Sequence, residues 1–138
     1  MTGGAAPAPV PLAASAARLV FDPDCGMIRE LTFAEGGRDL RPMHRVPWAG
    51  EAMPEGSLPH LARMEGDFFC APFATGGGSA PILHGWPANG RWSVQTVDTG
   101  ALQAVLDVPV QGARLPQALH LRDGHPFLSQ PHVFTGGS

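Results

Sequence analysis

Apolar and polar residues alternate along much of this chain with the two-residue period of a half-buried strand. Leu102, Ala104, Leu106 and Val108 share one face, with Gln103 and Asp107 on the other. Leu119 and Leu121 likewise stand opposite His120 and Arg122, and Trp92 and Val94 alternate with Ser93 and Gln95. Earlier, Arg18 to Asp22 reads as a strand. Met27 to Ala34 reads as another, with Met27, Leu31 and Phe33 on one face. Turn chemistry separates these runs: Pro23 to Gly26, Glu35 to Gly37, Asp98 to Gly100, and the hairpin pair Asp123-Gly124. Phe127 to Phe134 reads as a final strand. Short strands at this spacing, with no long helical period, predict an all-β fold, an antiparallel β-sandwich or barrel.

Between the two strand-rich parts the pattern breaks. Pro42, Pro47, Pro54 and Pro59 punctuate a stretch that cannot be a central strand, because proline has no N–H for the ladder. A long surface connection is expected there, with one helical turn within Leu58 to Met64. Gly66 to Phe73 is densely apolar and is expected to enter the core. Ala74 to Ala80 reads as a flexible glycine-rich loop. Met1 to Ala17 is rich in alanine and proline and lacks a basic leader, so it reads as a disordered tail ahead of a domain spanning residues 18–138.

Composition narrows the function classes. The 138 residues suit one domain, and 18 glycines with 15 prolines are about twice the usual share. All nine basic residues are arginine and the net charge is −3, so electrostatics favour neither nucleic acid nor a membrane as partner. No apolar run reaches the length of a membrane span. Cys25 and Cys70 form no CxxC and no disulfide framework, which fits two reduced thiols in a cytoplasmic protein. Cys70, between Phe69 and Ala71, reads as an inert thiol. The six histidines include no HxH or HExxH, so no metal site is expected. There is no GxSxG nucleophile, and the run Gly76 to Ser79 lacks the lysine and helix of a phosphate loop.

The most distinctive segment is Leu83 to Trp92, which puts His84, Trp86, Asn89, Arg91 and Trp92 close together. Aromatic faces stack on the C–H faces of sugars, while imidazole and amide groups bond hydroxyls. The alternative is a turn at Asn89-Gly90 with Trp86 and Trp92 as core anchors. Arg45, with Arg41 and Arg91, is a candidate contact for a phosphorylated ligand, though exposed arginines are ordinarily plain surface. His44, His60 and His120 lie in no motif and read as structural or surface residues, and His125 reads as solvated.

His84 to Asn89 followed by Trp92 resembles the His-Gly segment of the aldose 1-epimerase (galactose mutarotase-like) family. Gly66 to Phe73 is similar to the glycine- and phenylalanine-containing stretch that precedes that segment, and Leu40 to Trp48 to an early strand-to-loop passage of bacterial members. The resemblance runs from about Val20 to the C-terminus. It implies a galactose mutarotase-like β-sandwich that interconverts sugar anomers without a cofactor. His84 would hold the ring-oxygen region, and His132, in His132-Val133-Phe134, would be the proton donor. Trp86, Asn89 and Arg45 would line the sugar. The family's C-terminal glutamate base has no counterpart, since no acidic residue follows Asp123. The resemblance thus implies an incomplete sandwich, the N-terminal part of a longer enzyme, weakly active by itself and prone to self-association through an exposed sheet edge. The competing expectation is a non-catalytic carbohydrate-binding β-sandwich domain using the same loop.

Overall fold

The computed structural model describes residues 7–72 and 82–137. The expected glycine-rich loop at 74–80 lies outside them. Two four-stranded antiparallel sheets carry the fold. The first is a meander of β1 (Val10–Ala14), β2 (Ala17–Asp22), β3 (Met27–Glu35) and β4 (Arg38–Leu40). The second holds β5 (Trp92–Val97), β6 (Ala101–Leu106), β8 (Pro116–Arg122) and β9 (His125–Ser129), and a small ribbon pairs β7 (Ala113–Arg114) with β10 (Thr135–Gly136). Two short helices, α1 (Pro59–Ala62) and α2 (Gly85–Asn89), lie in the connection between the sheets. No helix among the described residues is long and apolar enough to cross a membrane.

The all-β expectation is met, and its physical basis is a shared core. Leu12, Leu19, Phe21, Ile28 and Leu31 from the first sheet form one buried cluster with Trp92, Leu102, Ala104, Leu106, Leu119 and Leu121 from the second. Each buried Leu, Ile or Phe among them contributes roughly 1.5–3 kcal/mol relative to exposure. The alternation read for β6 and β8 therefore marks the faces that meet.

One correction concerns the N-terminus. Residues 10–14 belong to the first sheet as β1, and Leu12, only 1% exposed, is in the core. Pro11 is tolerated because β1 lies at a sheet edge, where a missing N–H costs no ladder bond. β1 also ties the sheets together. Ala13 N donates to Thr99 O at 2.7 Å, across to the turn before β6. Ser15 N donates to Asp123 Oδ1 and Ser15 Oγ accepts from Gly124 N, both at 2.8 Å, which pins the β1–β2 turn to the β8–β9 turn.

A second correction concerns β3. Met27 does not share a face with Leu31 and Phe33. Between the pairs Val20–Arg29 and Arg18–Thr32 the register slips, so that Leu19 opposes two residues, Glu30 and Leu31. Glu30 takes a φ of 54° at this bulge. An extra residue reverses which side chains face inward. Ile28 therefore joins the core before the bulge and Leu31 after it. Met27 is buried on the opposite side, where its Sδ lies 3.3 Å from Glu65 N.

The last strand is longer than β9 alone. Ser129 pairs with His120, His132 with Gln117, and Thr135 with Arg114, a constant register along β8 and β7. Pro131 interrupts the ladder, which divides this edge into β9, an isolated bridge at His132, and β10.

Candidate functional site

The site is built from the connection between the sheets, and two glycines set its shape. Gly66 has φ +67°, and a Cβ there would lie 1.8 Å from Ile28 O. Gly85 has φ +72°, and its Cβ would lie 2.0 Å from Ala71 O. Only glycine permits both the backbone angle and the approach. Residues 66–71 are thereby held against β3 at one end, through the Ile28–Asp67 bridge, and against α2 at the other, through the Ala71–Gly85 bridge.

His84 sits immediately before α2 with φ 67°, a left-handed conformation that costs a non-glycine residue on the order of 1 kcal/mol. Its Nδ1 lies 2.8 Å from Nε2 of His60, which projects from α1 and is 1% exposed. Phe68 packs on both rings, its centroid 5.3 Å from His84 and 5.7 Å from His60. Asn89 closes the other end of α2, its Nδ2 donating to Leu83 O and Gly85 O at 2.8 Å each. Asn89 Oδ1 and His60 Nδ1 are both buried with no hydrogen-bond partner. Burial first, then the neighbouring His84, lower the pKa of His60, while the Asn89 amide works in the opposite direction. Trp86, on the outer side of α2, is 39% exposed, whereas Pro87 and Ala88 are buried. Trp92 is a core residue, as one of the two sequence alternatives had it; Trp86 is not.

His132 occupies a neighbouring cluster. Its ring stacks on Phe69 with centroids 4.0 Å apart, and Trp92 meets it edge-on at 6.4 Å. Consecutive residues thus serve the two clusters, Phe68 packing on His84 and Phe69 on His132. Burial lowers the pKa of His132, with the Asp67 carboxylate pulling upward against it. Across the bridge from His132 stands Gln117, 3% exposed, with both amide atoms unpartnered, as is His132 Nε2.

Arg45 belongs elsewhere. Its side chain is 62% exposed, its Nε is 3.9 Å from Glu65 Oε2, and it lines a cavity of about 620 Å³ on the first sheet with Arg18, Arg41 and Glu30. His84, Trp86 and Asn89 do not line that cavity.

The structure therefore gathers His84, Trp86 and Asn89 on α2 and adds His60, which the sequence reading had assigned to packing or surface. Nothing local to Pro59-His60 marks it out. Gln117 did carry a signal: it takes an inward position in the alternation that Leu119 and Leu121 continue. Comparison with family models, curated proteins and solved structures finds no match to the chain.

Proposed function

We propose that α2 and its paired histidines bind a sugar and belong to a mutarotase-like centre that interconverts anomers. The resemblance carried by His84 to Asn89 motivates this reading. The observation that supports it best is the pairing of a half-buried imidazole, fixed by His60 at 2.8 Å, with the exposed Trp86 indole two residues on. An indole face and an oriented imidazole suit the two kinds of surface a pyranose presents. Ring opening takes the proton from the anomeric hydroxyl and delivers one to the ring oxygen, and closure on either face yields the two anomers. His132 is the candidate donor. Burial favours its neutral form, so the Asp67 charge has to hold a proton on it for that role.

One observation favours binding without turnover. Among the described residues, no carboxylate bonds to His60 or His84. Sugar contact does not need one.

Titration with galactose and glucose, followed by tryptophan fluorescence, tests the shared part of both readings. Saturable binding that is lost in His84→Ala and Trp86→Ala is expected. No saturable response in the wild type overturns both. Polarimetry on fresh α-galactose then separates them, since only the mutarotase reading expects faster mutarotation than buffer.

A further inference from the structure

The cavity on the first sheet lies apart from α2, and its walls come from the strands and from the proline-rich connection. Pro11, Arg18 and Val20 alternate with the core residues Leu12 and Leu19, so the cavity, about 620 Å³, opens on the face of the sheet turned away from the core. That volume suits a small organic ligand. Two further arginines reach the cavity because pairing holds both ends of residues 41–45. Arg41 follows Leu40, which ends β4 and pairs with Phe33 of β3. Arg45 forms an antiparallel bridge with Glu65, flanked by Val46 N donating to Met64 O at 3.0 Å and Gly66 N donating to His44 O at 2.8 Å. Gly66 in turn lies against Ile28 O of β3. Met43, between the two arginines, is 36% exposed and lines the same cavity.

The charges of this lining do not cancel. Three arginines face two glutamates, a local positive excess in a chain whose net charge is −3. Arg18 is held by Asp39. Arg41 is exposed and makes no ion pair among the described residues. The carboxylate nearest Arg45 is Glu65, 3.9 Å away, and it already serves Arg29 Nε at 3.3 Å and Glu30 N at the bulge. Arg41 and Arg45 therefore keep guanidinium donors to spare, and guanidinium matches the planar or forked oxygens of carboxylate and phosphate. Pro11, Val20 and Met43 supply an apolar wall beside them. Arg91, grouped with Arg41 and Arg45 in the sequence, does not line this cavity.

We propose that the first-sheet cavity binds a small organic oxyanion, its carboxylate or phosphate group on Arg41 and Arg45 and its apolar body against Pro11, Val20 and Met43. This site does not depend on sugar binding at α2.

Backbone amide shifts of the intact chain, followed by 1H–15N spectra at low salt during titration with phenyl phosphate, benzoate and benzyl alcohol, test this. Saturable shifts at Val20, Thr32 and Arg45 are expected with at least one of the two anions, and the tighter of them identifies the headgroup. No saturable shift with either anion overturns the site. Benzyl alcohol has the ring without the charge, and equal binding of it overturns the role of the arginines. The Arg41→Ala, Arg45→Ala double variant is expected to bind about tenfold more weakly or worse, and binding within about twofold of wild type overturns the assignment. If the double variant does not fold, the single variants decide, each with an expected loss of about threefold. Arg91→Ala removes the same charge away from the cavity and should leave affinity within about twofold of wild type. A loss there as large as in the cavity variants overturns the site, because net charge alone then accounts for the binding.

Discussion

Trp92 donates its indole N–H to Pro87 O at 2.9 Å, hanging α2 from the first strand of the second sheet. The same indole occupies the space beside Gly26, where a Cβ would lie 2.2 Å from Nε1. Trp92 therefore links three things: the β2–β3 turn, the second sheet and the helix that carries His84. Trp92→Phe keeps most of the apolar volume but leaves the Pro87 carbonyl unpaired. A loss of about 1–3 kcal/mol is expected from urea unfolding, and, if α2 binds sugar as proposed, weaker binding because α2 is no longer anchored.

Two glycines with nearly equal backbone angles separate strain from crowding. Gly85→Ala meets Ala71 O at 2.0 Å at φ +72°, while Gly124→Ala at φ +74° meets nothing within 4 Å. Gly124→Ala should cost only the left-handed penalty, about 1–2 kcal/mol. Gly85→Ala should cost more, and it should also shift the His84 resonances because the contact forms the site. Equal losses in the two variants would contradict the close approach.

Stability should fall on mild acidification. His60 and His132 both titrate below the ordinary histidine value of 6.5, chiefly through burial. Below that value the unfolded chain takes up protons that the folded chain refuses, so the unfolding free energy decreases as pH drops, and levels off only below the folded pKa values. Urea midpoints at pH 7.5 and 5.5 measure this. His60→Phe, if folded, should have a smaller difference between the two.

Arg45 and Glu65 should respond unequally. Glu65 is 9% exposed, lies 3.3 Å from Arg29 Nε, and accepts from Glu30 N at the bulge. Glu65→Ala is expected to cost about 2–3 kcal/mol, since it strips a charged acceptor from a half-buried arginine. Arg45→Ala removes an exposed charge and should change stability by less than about 0.5 kcal/mol. If α2 binds sugar as proposed, the affinity of this variant should stay within about twofold of wild type, because Arg45 lies on the first-sheet cavity and not on α2.

Neither thiol should react readily in the folded protein. Burial pushes Cys25 up to about 11, with the Asp22 carboxylate adding to it, and raises the half-buried Cys70 as well. An aromatic disulfide reagent at pH 8 should label Cys25 far more slowly in buffer than in denaturant, where both cysteines react alike.

By itself the sequence determined β2, β3, β5, β6 and β8 and the turns beside them, because these depend on neighbours two to four residues away. Alternation in Leu102 to Leu106 and Leu119 to Leu121, and turn residues such as Asp123-Gly124, specify local backbone whatever lies opposite. The His84 to Asn89 stretch was also legible, as an aromatic and polar cluster beside a glycine. What only the tertiary structure decided depends on partners distant in the chain. Pro11 looks hostile to a strand until β2 and Thr99 take up its neighbours. The bulge at Glu30, which turns Met27 away from the core, answers the pairing with Leu19 and the Glu65 carboxylate, 35 residues on. His60 became the partner of His84 because two glycine contacts close a long loop, and no local pattern encodes a distance of 2.8 Å across 24 residues. Periodicity records which face of a strand is buried; it carries no record of what is buried against it.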